Sequence, residues 1–318
     1  MPTKAEIARD ARIAERKKEA EKKDKELKEK TEKLRKRLEG EASLLLTKPA
    51  RVNMLNYGVI VEVVNVVQAK LAQDAGFTAI CPFDNPVPLS SNKNRNPLTS
   101  DPRVMRDMMN SVVIPVMAKV RIGHIVEALM AEKLGANIID ESDYVGQDNA
   151  TYMEKKKFKV PFMCTVVKLE DCLLRIEEGA TMLRTKEVMG QNFSNTLSTI
   201  RAIFAELKKL KEATNKDTLK AEIVNKFQNK QVMEPILDKA IADQKLPVPF
   251  FGCGWVCTPN DVAMLRKLGC GAIISNIAFR ADNPRRRLKA LVQASKDYNK
   301  ADKMVEWSIG TSERPPAA

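Results

Sequence analysis

Only one histidine, His124, stands in the chain, and the six cysteines, Cys81, Cys164, Cys172, Cys253, Cys257 and Cys270, are scattered along it. The one closer pair, Cys253-Gly-Trp-Val-Cys257, has three residues between the thiols and no second pair beside it. No Cys/His set at zinc-ligand spacing results, so no metal site is expected. The cysteines also lack the density of a secreted disulfide scaffold and read as reduced thiols. No run approaches the roughly 20 apolar residues of a membrane span, and the amino terminus lacks the charged-then-apolar plan of a secretory signal. These absences predict a cytoplasmic protein with no membrane association. Aromatic residues make up only 5% of the chain and are not interleaved with basic ones, which argues against a surface that reads nucleic acid.

Positive charge is abundant. Lys and Arg number 54 against 41 Asp and Glu, a formal net charge of +13. Without nucleic-acid signals, that excess suits small anionic substrates carrying phosphate or carboxylate. At 318 residues and 44% hydrophobic, the chain can bury one large core or two modest ones.

The charge is distributed unevenly. Residues 1–40 hold 15 Lys or Arg and 10 Asp or Glu with no proline after Pro2, which predicts a long exposed helix. Ile13, Ala20, Leu27 and Leu34 recur every seven residues, but Lys17, Asp24 and Thr31 occupy the partner positions, so no full coiled-coil seam forms. From about residue 57 the pattern becomes Val/Ile-rich runs alternating with amphipathic stretches, the pattern of parallel strands joined by helices. Eight strands are predicted: 59–64, 78–81, 113–119, 137–141, 160–165, 181–186, 248–253 and 272–276. A helix end, a glycine and a strand recur at Gly76, Gly135, Gly179 and Gly269, where a helix C-cap needs positive φ. Eight strands in this length match a closed (β/α)8 TIM barrel, with two or three helices expected between strands six and seven. The chain thus divides into a charged helical extension (1–45), the barrel (46–300) and a C-terminal tail (301–318).

Two lysines stand out against this frame. Lys119 ends the apolar run Val113-Ile-Pro-Val-Met-Ala-Lys119, and Lys186 ends Thr181-Met-Leu-Arg-Thr-Lys186. Desolvation drives a buried amine toward its neutral form, and a neutral amine attacks carbonyls, so the pair suggests imine chemistry. The bland alternative is a strand-end lysine that snorkels to water. A barrel places working groups at the C-terminal ends of its strands, so Lys119, Lys186, Asp140, Glu141, Cys253 and Ser275 are expected at one mouth, with Glu62 a carboxylate partner from the first strand.

Several long strings carry a family resemblance. Val61-Glu-Val-Val-Asn65, Gln68-Ala-Lys-Leu-Ala72, Ile114-Pro-Val-Met-Ala-Lys119-Val-Arg-Ile-Gly-His124, Ile139-Asp-Glu-Ser142, Glu178-Gly-Ala-Thr-Met-Leu-Arg-Thr-Lys186, Lys245-Leu-Pro247 and Asp282-Asn-Pro284 resemble the synthase subunit of pyridoxal 5′-phosphate synthase, the SOR/SNZ family. The resemblance implies a (β/α)8 barrel assembled as a hexamer or dodecamer. It implies pyridoxal phosphate made from ribose 5-phosphate, glyceraldehyde 3-phosphate and ammonia, the ammonia coming from a separate glutaminase subunit. Lys119 would form the first imine, Lys186 would receive the later intermediate, and Asp140 would assist proton transfers. No cofactor is implied.

The chain departs from the family at defined points. Glu62 stands where the family has aspartate, and the glycine-rich cradle after the second lysine is replaced by Glu187-Val-Met-Gly190-Gln-Asn192, keeping only Gly190. The Gly-Gly of the seventh strand is Gly254-Trp255, and the Gly-Ser-Gly of the eighth is approximately Ser275-Asn276-Ile277. Phe83 to Arg95 replaces the lid that follows the second strand. Gly190, Gly254, Ser275 and Asn276 are therefore the expected substrate contacts, within an eroded phosphate cradle. Two readings follow: an active synthase subunit, or a catalytically degenerate paralogue with a structural or regulatory place in mixed rings.

Overall fold

The computed structural model describes residues 52, 55–82, 100–147, 152–186, 193–227 and 229–313, with backbone alone for 143–147. The charged extension of residues 1–45, the replacement lid and Gly190 with its loop lie outside the described residues. Eight parallel strands form the barrel: β1 (Val59–Val63), β2 (Ala79–Pro82), β3 (Met117–Ile122), β4 (Ile138–Gln147), β5 (Phe162–Val166), β6 (Met182–Thr185), β7 (Phe250–Gly252) and β8 (Gly271–Ile274). Their order is β2-β1-β8-β7-β6-β5-β4-β3. A parallel bridge between Ile80 and Val116 joins the two ends, with the Ile80 amide donating to Pro115 O at 3.0 Å.

All eight predicted strands are present, with shifted limits. The third begins at Met117 and not at Val113, because Pro115 has no N–H to give a ladder and the pairing with β4 starts at Met117. Lys119 therefore sits within β3, two residues after its start, and not at its end. Lys186 and Ser275 fall one residue beyond their strands.

The connecting helices are α1 (Val66–Ala75), α2 (Pro102–Ser111), α3 (Ile125–Leu134), α4 (Leu169–Glu177), α5 (Phe193–Glu212), α6 (Lys216–Val224), α7 (Lys230–Asp243), α8 (Pro259–Lys267) and α9 (Pro284–Asp297). Three of them, α5 to α7, fill the long stretch between β6 and β7. Local chemistry sets their ends. Thr258 and Asp261 close a reciprocal capping box on α8, with Pro259 at its first position. Gly76, Gly135, Gly179 and Gly269 all adopt φ between 76 and 100°, as the repeated glycine implied. A tenth helix, α10 (Ala301–Ser308), lies within the segment expected as a tail, and the Trp307 indole donates to Asp297 at 3.1 Å. No helix among the described residues is long and apolar enough to cross a membrane.

Alternation along each strand sorts the side chains. Val59, Val61 and Val63 of β1 face the helices and join the large outer core, whereas Ile60, Met117, Ile138, Met163, Met182, Phe251 and Ile273 close into a second cluster with Leu55. That cluster is an apolar layer inside the barrel. All six cysteines are buried free thiols.

Candidate active site

Above the apolar layer, five strands change to polar residues at one height. Ile60 gives way to Glu62, Met117 to Lys119, Ile138 to Asp140, Met163 to Thr165 and Met182 to Arg184, each two residues on and therefore on the same face. All five polar residues are buried. Burial of this much charge is costly unless each group is paired, and the site resolves into two pairs.

The first pair joins β1 to β3. The Lys119 amine donates to Glu62 Oε1, and both side chains are only 2% exposed. Because β2 lies between these strands in the sheet, the contact crosses the barrel interior. Two influences act on the amine: desolvation favours the neutral form and the adjacent carboxylate favours the ammonium. Moving one proton from Lys119 to Glu62 removes both charges at once and leaves a neutral nucleophile beside a neutral acid.

The second pair joins β4 to β6. Arg184 Nε donates to both Asp140 oxygens, at 2.9 and 3.0 Å, Nη2 donates to Ser142 Oγ at 2.6 Å, and Nη1 donates to Thr185 O at 3.1 Å. Asp140 and Arg184 are fully buried. A guanidinium keeps its charge at any working pH, so it holds Asp140 ionised. In the β3–β4 register Lys119 is paired with Asp140, so the two side chains leave neighbouring strands on the same face.

Glu141, the next residue on β4, points the other way. It accepts from the Gly123 and Met153 amides, both at 3.0 Å, and pairs with the Lys155 amine at 2.8 Å. Lys155 also donates to Met153 O and to Glu178, each at 2.8 Å, and the Arg175 guanidinium pairs with Glu178 at 3.0 Å and stacks 3.3 Å from the Tyr152 ring centre. This network ties the loops after β3 and β4 to the end of α4. Glu141, expected at the mouth, is part of the scaffold behind it.

The remaining expected residues distribute around the rim. Lys186 is exposed and immediately follows β6. Gly254 is buried at φ 104°, and a side chain there would meet Thr196 Oγ1 at 3.1 Å and Lys186 O at 3.7 Å. Trp255 follows at φ 55°, so two successive residues are left-handed. Ser275 is half-buried and donates its amide to Val256 O at 2.9 Å. Asn276 directs its side-chain amide to Glu62 O, at 3.2 Å, and to Gln68 Oε1, at 2.7 Å. Lys119, Glu62 and Asp140 are thus together in the interior, whereas Lys186 is at the edge.

Arg184 and Ser142 were not singled out from the sequence, although both lie within strings quoted above. The available signal was the polar residue two positions after an apolar one in five separate strand runs. Thr185 and Thr196 were missed as well. Their hydroxyls both donate to Cys253 O, at 2.8 and 2.6 Å: Thr185 extends the β6–β7 pairing past the last ladder residue, and Thr196 ties the start of α5 to the end of β7.

Comparison with known proteins places this geometry. The SOR/SNZ family profile matches residues 45–253. The chain belongs to the SOR/SNZ family. Pyridoxal 5′-phosphate synthase subunit SNZ1 of Saccharomyces cerevisiae is 38% identical over 270 residues, covering 84% of this chain and 89% of that protein. Pyridoxal 5′-phosphate synthase subunit PdxS of Clostridium botulinum is 38% identical over 259 residues, covering 80% and 87%. The PdxS subunit of Francisella tularensis subsp. novicida is 37% identical over 258 residues, covering 80% and 88%. The SOR/SNZ strings in this chain include parts of β1, β3, β4 and β6, the strands that supply Glu62, Lys119, Asp140 and Arg184.

Proposed function

We propose that this SOR/SNZ chain is a pyridoxal 5′-phosphate synthase subunit that forms the product from ribose 5-phosphate, glyceraldehyde 3-phosphate and ammonia through lysine imines. The observation that carries the reading is the buried Lys119–Glu62 pair. Lys119 passes its proton to Glu62 and attacks the sugar carbonyl carbon. Glu62 returns the proton as the carbinolamine loses its hydroxyl as water, leaving the imine. Asp140, held ionised by Arg184, supplies fixed negative charge beside the developing protonated imine. Lys186, at the rim, accepts the later intermediate. Gly190, Gly254, Ser275 and Asn276 are the substrate contacts that the family resemblance suggests.

Ammonia comes from a separate glutaminase subunit, and the chain itself hydrolyses no glutamine. Assembly as a hexamer or dodecamer is supported by Ile125, Val126, Leu129 and Met130, exposed together on α3. Light scattering reads that state directly, and a stable monomer at micromolar concentration would argue against rings. The cytoplasm suits buried free thiols and soluble sugar phosphates.

Intact mass after incubation with ribose 5-phosphate and borohydride tests the chemistry. A trapped imine adds one sugar phosphate to the chain, and Lys119→Ala removes the adduct. No adduct at any pH between 6 and 9, tested because the amine must shed a proton, would favour the degenerate-paralogue reading.

A further inference from the structure

The β1–β8 ladder ends too early to hold Glu62. Its paired residues are Val59 with Ala272, Ile60 with Ile273 and Val61 with Ile274. One residue later β8 has ended, and Asn276 opens a 3₁₀ turn. On the other flank the β1–β2 ladder runs on through Glu62 with Cys81 and Val63 with Pro82. The end of β1, where Glu62 stands, is thus left without a ladder partner on its β8 side.

Two side-chain amides take over from the ladder. Asn276 Nδ2 donates to Glu62 O at 3.2 Å and to Gln68 Oε1 at 2.7 Å, and the same Gln68 oxygen accepts from the Val64 amide at 3.0 Å. The clamp therefore grips the main chain at Glu62 and two residues beyond it. From its strand-end position Asn276 reads as a substrate contact, yet its amide hydrogens are directed at the protein.

We propose that Asn276, acting with Gln68, is a positioning residue that holds the Glu62 carboxylate on the Lys119 amine. The proposal rests on Lys119 being the nucleophile of the reading above. The titratable groups sharing this space are Lys119 from β3, Asp140 from β4, Arg184 from β6 and the Cys81 thiol, level with Glu62 on β2. Of these, Lys119 donates directly to the Glu62 carboxylate. Slack in the clamp withdraws that carboxylate, so burial counts for more against the charged amine and Lys119 deprotonates at lower pH.

Reductive methylation with formaldehyde and cyanoborohydride, followed across pH by peptide mass spectrometry, reads the protonation midpoint of Lys119 without any bound sugar. The exposed Lys267 serves as internal reference. Asn276→Leu and Gln68→Leu should each lower the Lys119 midpoint by about one unit, roughly tenfold more labelling below the midpoint. The double variant should shift it no further than the larger single, because both residues act through one clamp. Gln68→Glu keeps both acceptor contacts and should not lower it. If Asn276→Leu fails to fold, Asn276→Asp, which keeps the shape and loses the donor, reads the same shift.

An unmoved midpoint in folded variants overturns the proposal. So does an unmoved midpoint with a raised KM for ribose 5-phosphate, which would make Asn276 a substrate contact. A shifted midpoint in a protein that forms no ribose 5-phosphate adduct would leave the clamp standing and remove only the functional reading.

Discussion

Glu62 and Lys119 meet across the barrel interior from strands that are not neighbours, and neither side chain reaches solvent. Breaking a buried pair by removing one member costs about 3–5 kcal/mol, whereas apolar replacement of both members is often neutral. Glu62→Gln should therefore lower unfolding stability by about that amount, and Glu62→Leu combined with Lys119→Met should recover most of it. Denaturant midpoints at constant m-value measure both. A loss under about 1 kcal/mol for Glu62→Gln would mean that the pair is hydrated in solution.

The different environments of the two lysines predict an order of events. Lys119 is enclosed with its carboxylates, and Lys186 stands exposed at the rim. Lys119→Ala should abolish the ribose 5-phosphate adduct and the product. Lys186→Ala should still form the first adduct and make no product. Arginine at either position should not rescue, since a guanidinium stays protonated. Mass spectrometry of trapped species together with absorbance of the product decides this, and undiminished product from either alanine variant would exclude the two-lysine scheme.

Much of the barrel was legible because its determinants are local. Val/Ile runs mark the strands, and the glycines at four helix ends, Gly76, Gly135, Gly179 and Gly269, mark left-handed turns. Where apolarity and hydrogen-bonding capacity part company, the reading slipped: Val113 to Val116 are as apolar as a strand, but Pro115 delays full pairing until Met117. Lys119 was conspicuous as an amine in an apolar run. Arg184 was not, although it is the most thoroughly paired side chain of the interior, because an arginine near a strand end reads as one that reaches water. The role of Asn276 could not be read at all, since its partners Glu62 and Gln68 are 214 and 208 positions away. Only closure of β8 against β1 brings them together.

The scaffold behind the mouth predicts an alkaline limit. Burial lowers the proton affinity of the Lys155 amine, but negative charge around it outweighs that, and the amine lies above its ordinary 10.5. Burial pushes the Cys164 thiol far above its usual range, so Glu141 and Glu178, and not a thiolate, hold the charge on Lys155. A group bound more tightly to its proton in the folded state stabilises fully below its unfolded value and loses that contribution as pH rises through the folded one. Stability should thus fall above about pH 10.5 as unfolded chains release this proton, the ordinary lysine value. Lys155→Met should be less stable at pH 8 and show a shallower decline between pH 10 and 11, measured by urea unfolding. An equal slope in both proteins would assign the alkaline loss to other groups.

Trp255 supplies the sharpest test of whether the phosphate cradle expected from the family resemblance is altered. It adopts φ 55° directly after Gly254 at φ 104°, a left-handed conformation that costs a non-glycine residue roughly 1–2 kcal/mol. The indole is half-buried, and family resemblance puts a phosphate-approaching glycine at this position. Trp255→Gly removes strain and packing together, so the unfolding midpoint should move little. Affinity for ribose 5-phosphate should move much more, because one regained charge-assisted amide contact is worth about 1.5–3 kcal/mol, or roughly tenfold to a hundredfold. Combining Trp255→Gly with a glycine-rich loop at residues 187–192 should add to the gain if both segments approach the same phosphate. Calorimetry measures each step. Tight, micromolar binding by the unaltered chain, with no gain on Trp255→Gly, would show that the indole stands clear of the phosphate and that other groups hold it.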